Sequence, residues 1–64
     1  MRTLRYTYWQ DGDTYIGFIN EYPDYATEGV SREELIENLT SMLEDIEFGE
    51  IPYIRRVEEF VIPA

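Results

Sequence analysis

A strongly encoded helix start at Ser31 is the feature that most constrains how this chain can fold. Ser31 precedes Glu34 by three residues, which is the spacing of a capping box. In that arrangement the serine hydroxyl accepts from a free amide of the first turn, and the glutamate carboxylate reaches back to the serine amide. Glu33 and Glu34 also place negative charge at the positive end of the helix dipole. The apolar spacing that follows predicts a helix over residues 32–48, ended by Gly49 in the left-handed conformation.

The predicted helix has one apolar and one acidic face. The apolar stripe comprises Leu35, Ile36, Leu39, Met42, Leu43 and Ile46. The opposite face comprises Glu33, Glu37, Thr40, Ser41, Glu44 and Glu47. We interpret the stripe as a core face packed on a sheet, in preference to a dimerisation seam. The exposed carboxylates of Glu33, Glu37 and Glu44 are candidates for facing a partner.

Two segments before the helix have the composition of a β-hairpin. Residues 4–10 and 14–20 are rich in β-branched and aromatic side chains, and Asp11-Gly12 between them is a two-residue turn sequence. This turn places Tyr8 opposite Tyr15. One face of the hairpin then carries Leu4, Tyr6, Tyr8, Tyr15, Gly17 and Ile19. The other face carries Arg5, Thr7, Trp9, Thr14, Ile16 and Phe18.

A single helix can cover only one of these two faces. We assign the helix to the first face, because Gly17 allows it to approach the sheet closely between large neighbours. The second face is then an uncovered apolar and aromatic patch, which on so small a domain is typical of an interface. Its candidate interface residues are Arg5, Thr7, Trp9, Ile16 and Phe18. The alternative is that these side chains fold over and cover one another.

The remaining segments complete a β-β-β-α-β order. We expect a turn over residues 21–24, a brief third strand over 25–28, and a last strand over 53–62. The crossover through the helix would set the last strand parallel to the first, on its free side. The predicted fold is therefore α+β, with a four-stranded mixed sheet of order 3-2-1-4 and one helix on one face. Arg55 and Arg56 are expected to pair with the acidic helix face.

Composition limits the classes of function open to the chain. Its 64 residues (1–64) make one domain, with 5 Lys and Arg against 14 Asp and Glu and a net charge of −9. That balance argues against direct DNA or RNA binding, which needs a basic surface, and favours a cationic protein partner. The alternative is that the charge only keeps the chain soluble. No secretory leader and no long apolar run is present, so we expect a cytoplasmic protein without membrane contact.

The sequence lacks two of the residue types that most often carry out catalysis. The chain contains no Cys and no His, which removes thiolate ligands, imidazole ligands and the commonest general base. Candidate metal-binding carboxylates are Asp11, Asp13, Glu21 and Asp24, but the first two belong to a turn, where Asp is ordinary. We therefore expect a protein that is not an enzyme and that has no cofactor and no metal site.

The central motifs, taken together in order, resemble those of the HicB-type antitoxins. Their signature runs from a hairpin turn at Asp-Gly through Tyr-x-Ala-x-Val, Pro-Glu-Leu-Pro-Gly-Cys, x-Thr-x-Gly-x-Thr and Glu-Glu-Ala, with an Asn shortly after. The matching residues here, within residues 8–43, are Gly12, Tyr15, Gly17, Ile19, Glu21, Pro23, Thr27, Gly29, Ser31, Glu33, Glu34 and Asn38. The chain departs from the pattern at three positions, where Asp24 replaces Gly, Tyr25 replaces Cys and Leu35 replaces Ala.

This resemblance implies a truncated ribonuclease-H-like fold without that fold's metal site. It also implies a function as an inhibitor that binds and neutralises a small basic HicA-type endoribonuclease toxin. Many members of the family carry a further DNA-binding domain, which we do not expect in this chain. The alternative is a solitary protein-binding module of the same fold, without a toxin partner, whose uncovered patch is used in self-association. In either case we expect a homo-dimer or a tetramer.

Overall fold

Three antiparallel strands and one helix form the fold in the computed structural model, which describes residues 2–49 and 52–63. The strands are β1 (Tyr6–Asp11), β2 (Thr14–Ile19) and β3 (Ala26–Gly29), in the sheet order β1-β2-β3, and the helix α1 spans Arg32–Glu47. The predicted first three strands and helix are present, each within two residues of its expected bounds. The chain is a small α+β domain.

The prediction of a four-stranded mixed sheet of order 3-2-1-4 is wrong. Residues 52–63 form no strand, so the sheet has three strands and is wholly antiparallel, unlike the expected truncated ribonuclease-H-like arrangement. Two contacts hold this segment elsewhere. Ile54 packs against the core, and Arg55 Nη1 donates to Asp24 Oδ2 at 3.0 Å, in the connection between β2 and β3. The contact with Asp24 lies at the β2–β3 connection, and β1 is left without the expected neighbour.

The hairpin register also differs from the prediction, by two residues. Asp11 pairs with Thr14, Trp9 with Ile16 and Tyr8 with Gly17, so that the turn is Gly12-Asp13 instead of Asp11-Gly12. Gly12 has a φ of 63°, which a type II′ turn requires at its first central position. Because side chains alternate with a period of two, a shift of two residues leaves every side chain on its predicted face.

The helix start follows the capping prediction in part. Ser31 is the N-cap, and its hydroxyl accepts from the amide of Glu34 at 3.1 Å. The carboxylate of Glu34, however, accepts from the amide of Val30 at 3.2 Å instead of from Ser31. At the other end Gly49 has a φ of 79°, the left-handed conformation predicted for the helix stop.

The core lies between the helix and the first face of the sheet, as predicted. Its buried residues are Ile19, Tyr22, Leu35, Leu39 and Ile46. Tyr22 is an addition, because the sequence indicated only a turn there. Ile36 is a correction: it is 44% exposed and lies at the margin of the stripe. The predicted close approach at Gly17 is confirmed, since a Cβ on this residue would lie 3.3 Å from Cδ2 of Leu35.

Gly29 provides a second close approach between sheet and helix. A Cβ on Gly29 would lie 2.7 Å from the backbone nitrogen of Leu35, so the absence of a side chain lets the first turn of α1 rest directly on β3. Asn38, one turn further along, donates from Nδ2 to the carbonyl of Glu28 at 2.7 Å. The helix is thus fixed to β3 by both packing and a hydrogen bond.

At 16 residues and with many carboxylates, α1 is too short and too polar to cross a membrane, and the structure describes no other helix.

Candidate protein-binding face

The face of the sheet opposite the helix carries all five predicted interface residues. The observed pairing of β1 with β2 places Thr7, Trp9, Ile16 and Phe18 on this face. Arg5, directly before β1, continues the same alternation, since its carbonyl accepts from the amide of Asn20. The pairing of β2 with β3 adds Ala26 and Glu28, which oppose Phe18 and Ile16. We call this set of residues the open face. Its extension onto β3 was overlooked in the sequence, although the alternation of the third strand would have indicated it.

An aromatic pair forms the centre of the open face. Trp9 lies directly opposite Ile16, and Thr7 lies opposite Phe18. The rings of Trp9 and Phe18 therefore meet diagonally across the two strands, with centroids 6.3 Å apart and an interplanar angle of 63°. This edge-to-face contact partly supports the alternative in which the side chains cover one another. It does not remove the patch from solvent, because Trp9 remains 46% exposed.

Polar groups surround the aromatic pair. Thr7 Oγ1 donates to Oδ1 of Asn20 at 2.6 Å, which orients both side chains beside Phe18. Glu28 stands next to Ile16 at the β3 side, where Ile16, Ala26, Thr27 and Glu28 line a shallow depression of about 330 Å³. An apolar centre with a polar rim is the usual anatomy of a protein–protein interface.

The predicted acidic partner-facing residues lie on the other side of the molecule. Glu33, Glu37 and Glu44 are all exposed on the surface of α1 that points away from the sheet. Since the helix packs on the covered face, these carboxylates and Trp9 are separated by the whole thickness of the domain. One flat partner surface therefore contacts either the open face or the acidic helix surface, and not both.

The arginines are distributed around the body of the domain. Arg2 pairs with Glu47 near the end of α1, and Arg55 pairs with Asp24. The hydrogen bond to Asp24, with the charge of that carboxylate, raises the pKa of Arg55 above its usual value. The expected pairing of Arg55 with the acidic helix is therefore wrong. The guanidinium of Arg32 lies 5.3 Å from the ring centroid of Tyr8, a cation–π arrangement on the covered side of β1.

The four carboxylates considered for metal binding are divided between two ends of the sheet. Asp11 ends β1 and Asp13 lies in the turn that follows it, whereas Glu21 and Asp24 follow the far end of β2. Six residues of strand separate the two pairs, or about 20 Å. Within residues 2–49 and 52–63, no group of three or more acidic side chains is positioned to hold a metal ion. Asp24 is instead engaged by Arg55.

Comparison with known proteins found no match: no family model, no curated protein and no solved structure matches the chain.

Proposed function

We propose that this protein acts by binding another protein, as an antitoxin-like inhibitor of a small basic endoribonuclease of the HicA type in the cytoplasm. The observation that carries this proposal is the open face, with Trp9 46% exposed at its centre and, among the described residues, no helix over it. Tryptophan in a partly apolar, polar-rimmed surface is the residue type most enriched among binding hot spots. The order of the central motifs, which resembles that of the HicB-type antitoxins, supports the choice of partner.

The net charge of −9 supports a cationic partner. Opposite charge accelerates encounter and makes the association rate depend strongly on salt. Because Glu33, Glu37 and Glu44 lie behind the open face, they contribute to the long-range field and not to the contact itself. The association rate should therefore fall with added salt, whereas the dissociation rate should change little.

Inhibition in this proposal is steric. The open face covers the RNA-binding or cleavage surface of the toxin, and this chain contributes no catalytic residue, cofactor or metal ion. An aromatic anchor of this kind usually accounts for more than 1.4 kcal/mol of binding, or about tenfold in affinity.

An RNA-cleavage assay tests the proposal directly. The ribonuclease to use is a Lys- and Arg-rich protein of similar size encoded beside this chain. Wild-type chain should suppress its cleavage of RNA at equimolar concentration. Trp9→Ser combined with Phe18→Ser should raise the inhibition constant at least tenfold, whereas Glu37→Gln on the opposite surface should leave it within twofold. Cleavage that is unaffected by wild-type chain would refute the inhibitor function.

The alternative function is a solitary oligomeric binding module without a toxin. It is favoured by the arrangement of charge on the open face, where Arg5, directly before β1, and Glu28 on β3 both border the aromatic pair. Two such faces related by a two-fold axis would match each arginine with a glutamate. In that case the Trp9→Ser and Phe18→Ser variant has a lower solution mass than wild-type chain. Light scattering of this pair distinguishes the two functions, because an inhibitor whose open face awaits a toxin does not self-associate through that face and loses no mass in the variant.

A further inference from the structure

The outer edge of β1 offers unpaired backbone groups. The amide of Asn20 donates to the carbonyl of Arg5 at 3.0 Å, which fixes the alternation of bonds along the hairpin. Thr7 and Trp9 therefore bond inward to β2, while Tyr6, Tyr8 and Gln10 direct their N–H and C=O groups outward. In the part of the chain that the structure describes, no strand pairs with this edge.

An apolar groove lies beside the same edge, on the covered side of the sheet. The backbone of α1 packs on β2 and β3, so β1 is left beyond the flank of the helix. The groove between them has a volume of about 210 Å³ and is lined mainly by Leu4, Tyr6, Ile36 and Leu43. Cavities of about 150 Å³ lined by such side chains accommodate a benzene molecule, so this groove has room for an aromatic ring.

Residues 57–62 have a sequence suited to pairing with this strand edge and to filling this groove. It reads Val-Glu-Glu-Phe-Val-Ile, which is rich in β-branched and aromatic residues and has the same length as β1. Phe60 is 82% exposed and Ile62 is 75% exposed, so neither is buried by its own domain. An exposed apolar segment of strand-forming sequence and an open strand edge thus occur in the same molecule.

We propose that residues 57–62 of one copy add as a strand to the β1 edge of a second copy, and that the exchange is reciprocal. The result is a two-fold dimer in which each three-stranded sheet gains one strand from its partner. This contact uses the edge of β1 and the groove, and it leaves the open face free. It is therefore independent of the function proposed above.

Side-chain alternation determines which residues enter the groove. Phe60 and Ile62 share one side of the segment, and they fill the groove beside Leu4 and Tyr6. Glu59 then lies on the other side of the added strand, beside Arg5, with which it has opposite charge. Among the residues that the structure describes, Arg5 makes no ion pair. The reverse arrangement would direct Val57, Glu59 and Val61 to the groove and keep Phe60 and Ile62 out of it, whereas the proposed one directs Glu58 there with Phe60 and Ile62, the larger apolar pair.

Cross-linking between two single-cysteine chains tests the exchange. The chain contains no cysteine, so Thr7→Cys and Val61→Cys each introduce one thiol, on the same side of the proposed strand pair. One variant is labelled with ¹⁵N, the two are mixed, and a short bis-maleimide is added before mass spectrometry. We expect mixed covalent dimers in at least tenfold excess over those formed when Glu37→Cys replaces Val61→Cys. Mixed dimers no more abundant than in this control would overturn the proposal.

The chain that carries both Thr7→Cys and Val61→Cys provides a second readout. At low concentration, a linkage formed only between chains supports exchange, whereas a linkage formed within one chain would show that the segment folds back onto its own β1 and would overturn it.

Light scattering of groove variants then tests the named side chains. Phe60→Ser with Ile62→Ser should convert the dimer to a monomer and raise the dimer dissociation constant at least tenfold. Val61→Ser, on the opposite side of the strand, should raise it less than threefold. Far-UV circular dichroism should show that both variants keep the helix and the three-stranded sheet, because these side chains are exposed in the single chain, and the double variant should lose only the signal of the added strand. A dimer that persists in the double variant but is lost in Trp9→Ser with Phe18→Ser would assign association to the open face and overturn the exchange.

Discussion

The two faces of the sheet are built from alternate residues of the same strands, yet they differ in how far they are buried. On the covered face, Ile19 and Tyr15 pack against Leu35, which is fully buried. On the open face, Trp9 and Phe18 contact each other and remain in reach of solvent. One helix of 16 residues covers one face only, so nearly all stabilising burial lies on that side. The buried core and the exposed aromatic pair are therefore separated by the thickness of a single sheet.

The largest expected effect is on the covered face. Leu35→Ala removes a fully buried side chain and should lower the free energy of unfolding by about 2 to 5 kcal/mol. A domain of this length has a total of about 3 to 10 kcal/mol, so the variant should be largely unfolded at moderate temperature. Urea titration followed by the fluorescence of Trp9 measures the change. A loss below 1 kcal/mol would show that the covered face is not the main source of stability.

A smaller effect is expected where the helix touches the sheet backbone. Gly29→Ala places a methyl group 2.7 Å from the backbone nitrogen of Leu35, and the helix must move to relieve the clash. We expect a loss of about 1 to 3 kcal/mol in unfolding free energy, measured by urea titration. Ala26→Ser, on the exposed side of β3, is the matched control and should be neutral. Equal stability of both variants would contradict the close approach at Gly29.

On the open face the effect on stability should be smaller still. Trp9→Ser combined with Phe18→Ser removes one edge-to-face pair and partly exposed area, and should lower the unfolding free energy by about 1 to 2 kcal/mol. Thermal denaturation by circular dichroism at low protein concentration measures this without contribution from association. A loss above 3 kcal/mol would make these residues part of the core and remove the distinction between the two faces.

The smallest effect is expected on the acidic surface of α1. Glu37→Gln should change the unfolding free energy by less than about 0.5 kcal/mol, because the side chain is exposed and has no ion-pair partner among the described residues. Its effect should appear as a slower association with a cationic partner at low salt, measured by stopped-flow kinetics. The difference from wild type should disappear at high salt, where the charge is screened. A difference that persists there would place Glu37 in the contact.

The helix and the two faces were predictable because their signals are local. Ser31, the apolar stripe and Gly49 mark the helix within its own segment, and strand alternation assigns Trp9 to the open face even when the register is displaced by two residues. The placement of residues 52–63, where a fourth strand was predicted, was not predictable in the same way. It depends on long-range contacts of Ile54 with the core and of Arg55 with Asp24, which no local pattern reveals. Tyr22 was likewise missed, because turn residues around it concealed a core side chain.

The hydrogen bond from Asn38 to the carbonyl of Glu28 has a consequence for how large any assembly of this protein becomes. It occupies an outward-facing acceptor of β3, on the border of the sheet opposite β1. Strand addition at both borders would allow run-on polymerisation into fibrils, whereas addition at a single border ends after one partner. The side-chain amide of Asn38 thus hinders strand addition at the β3 border, which favours small closed assemblies over filaments.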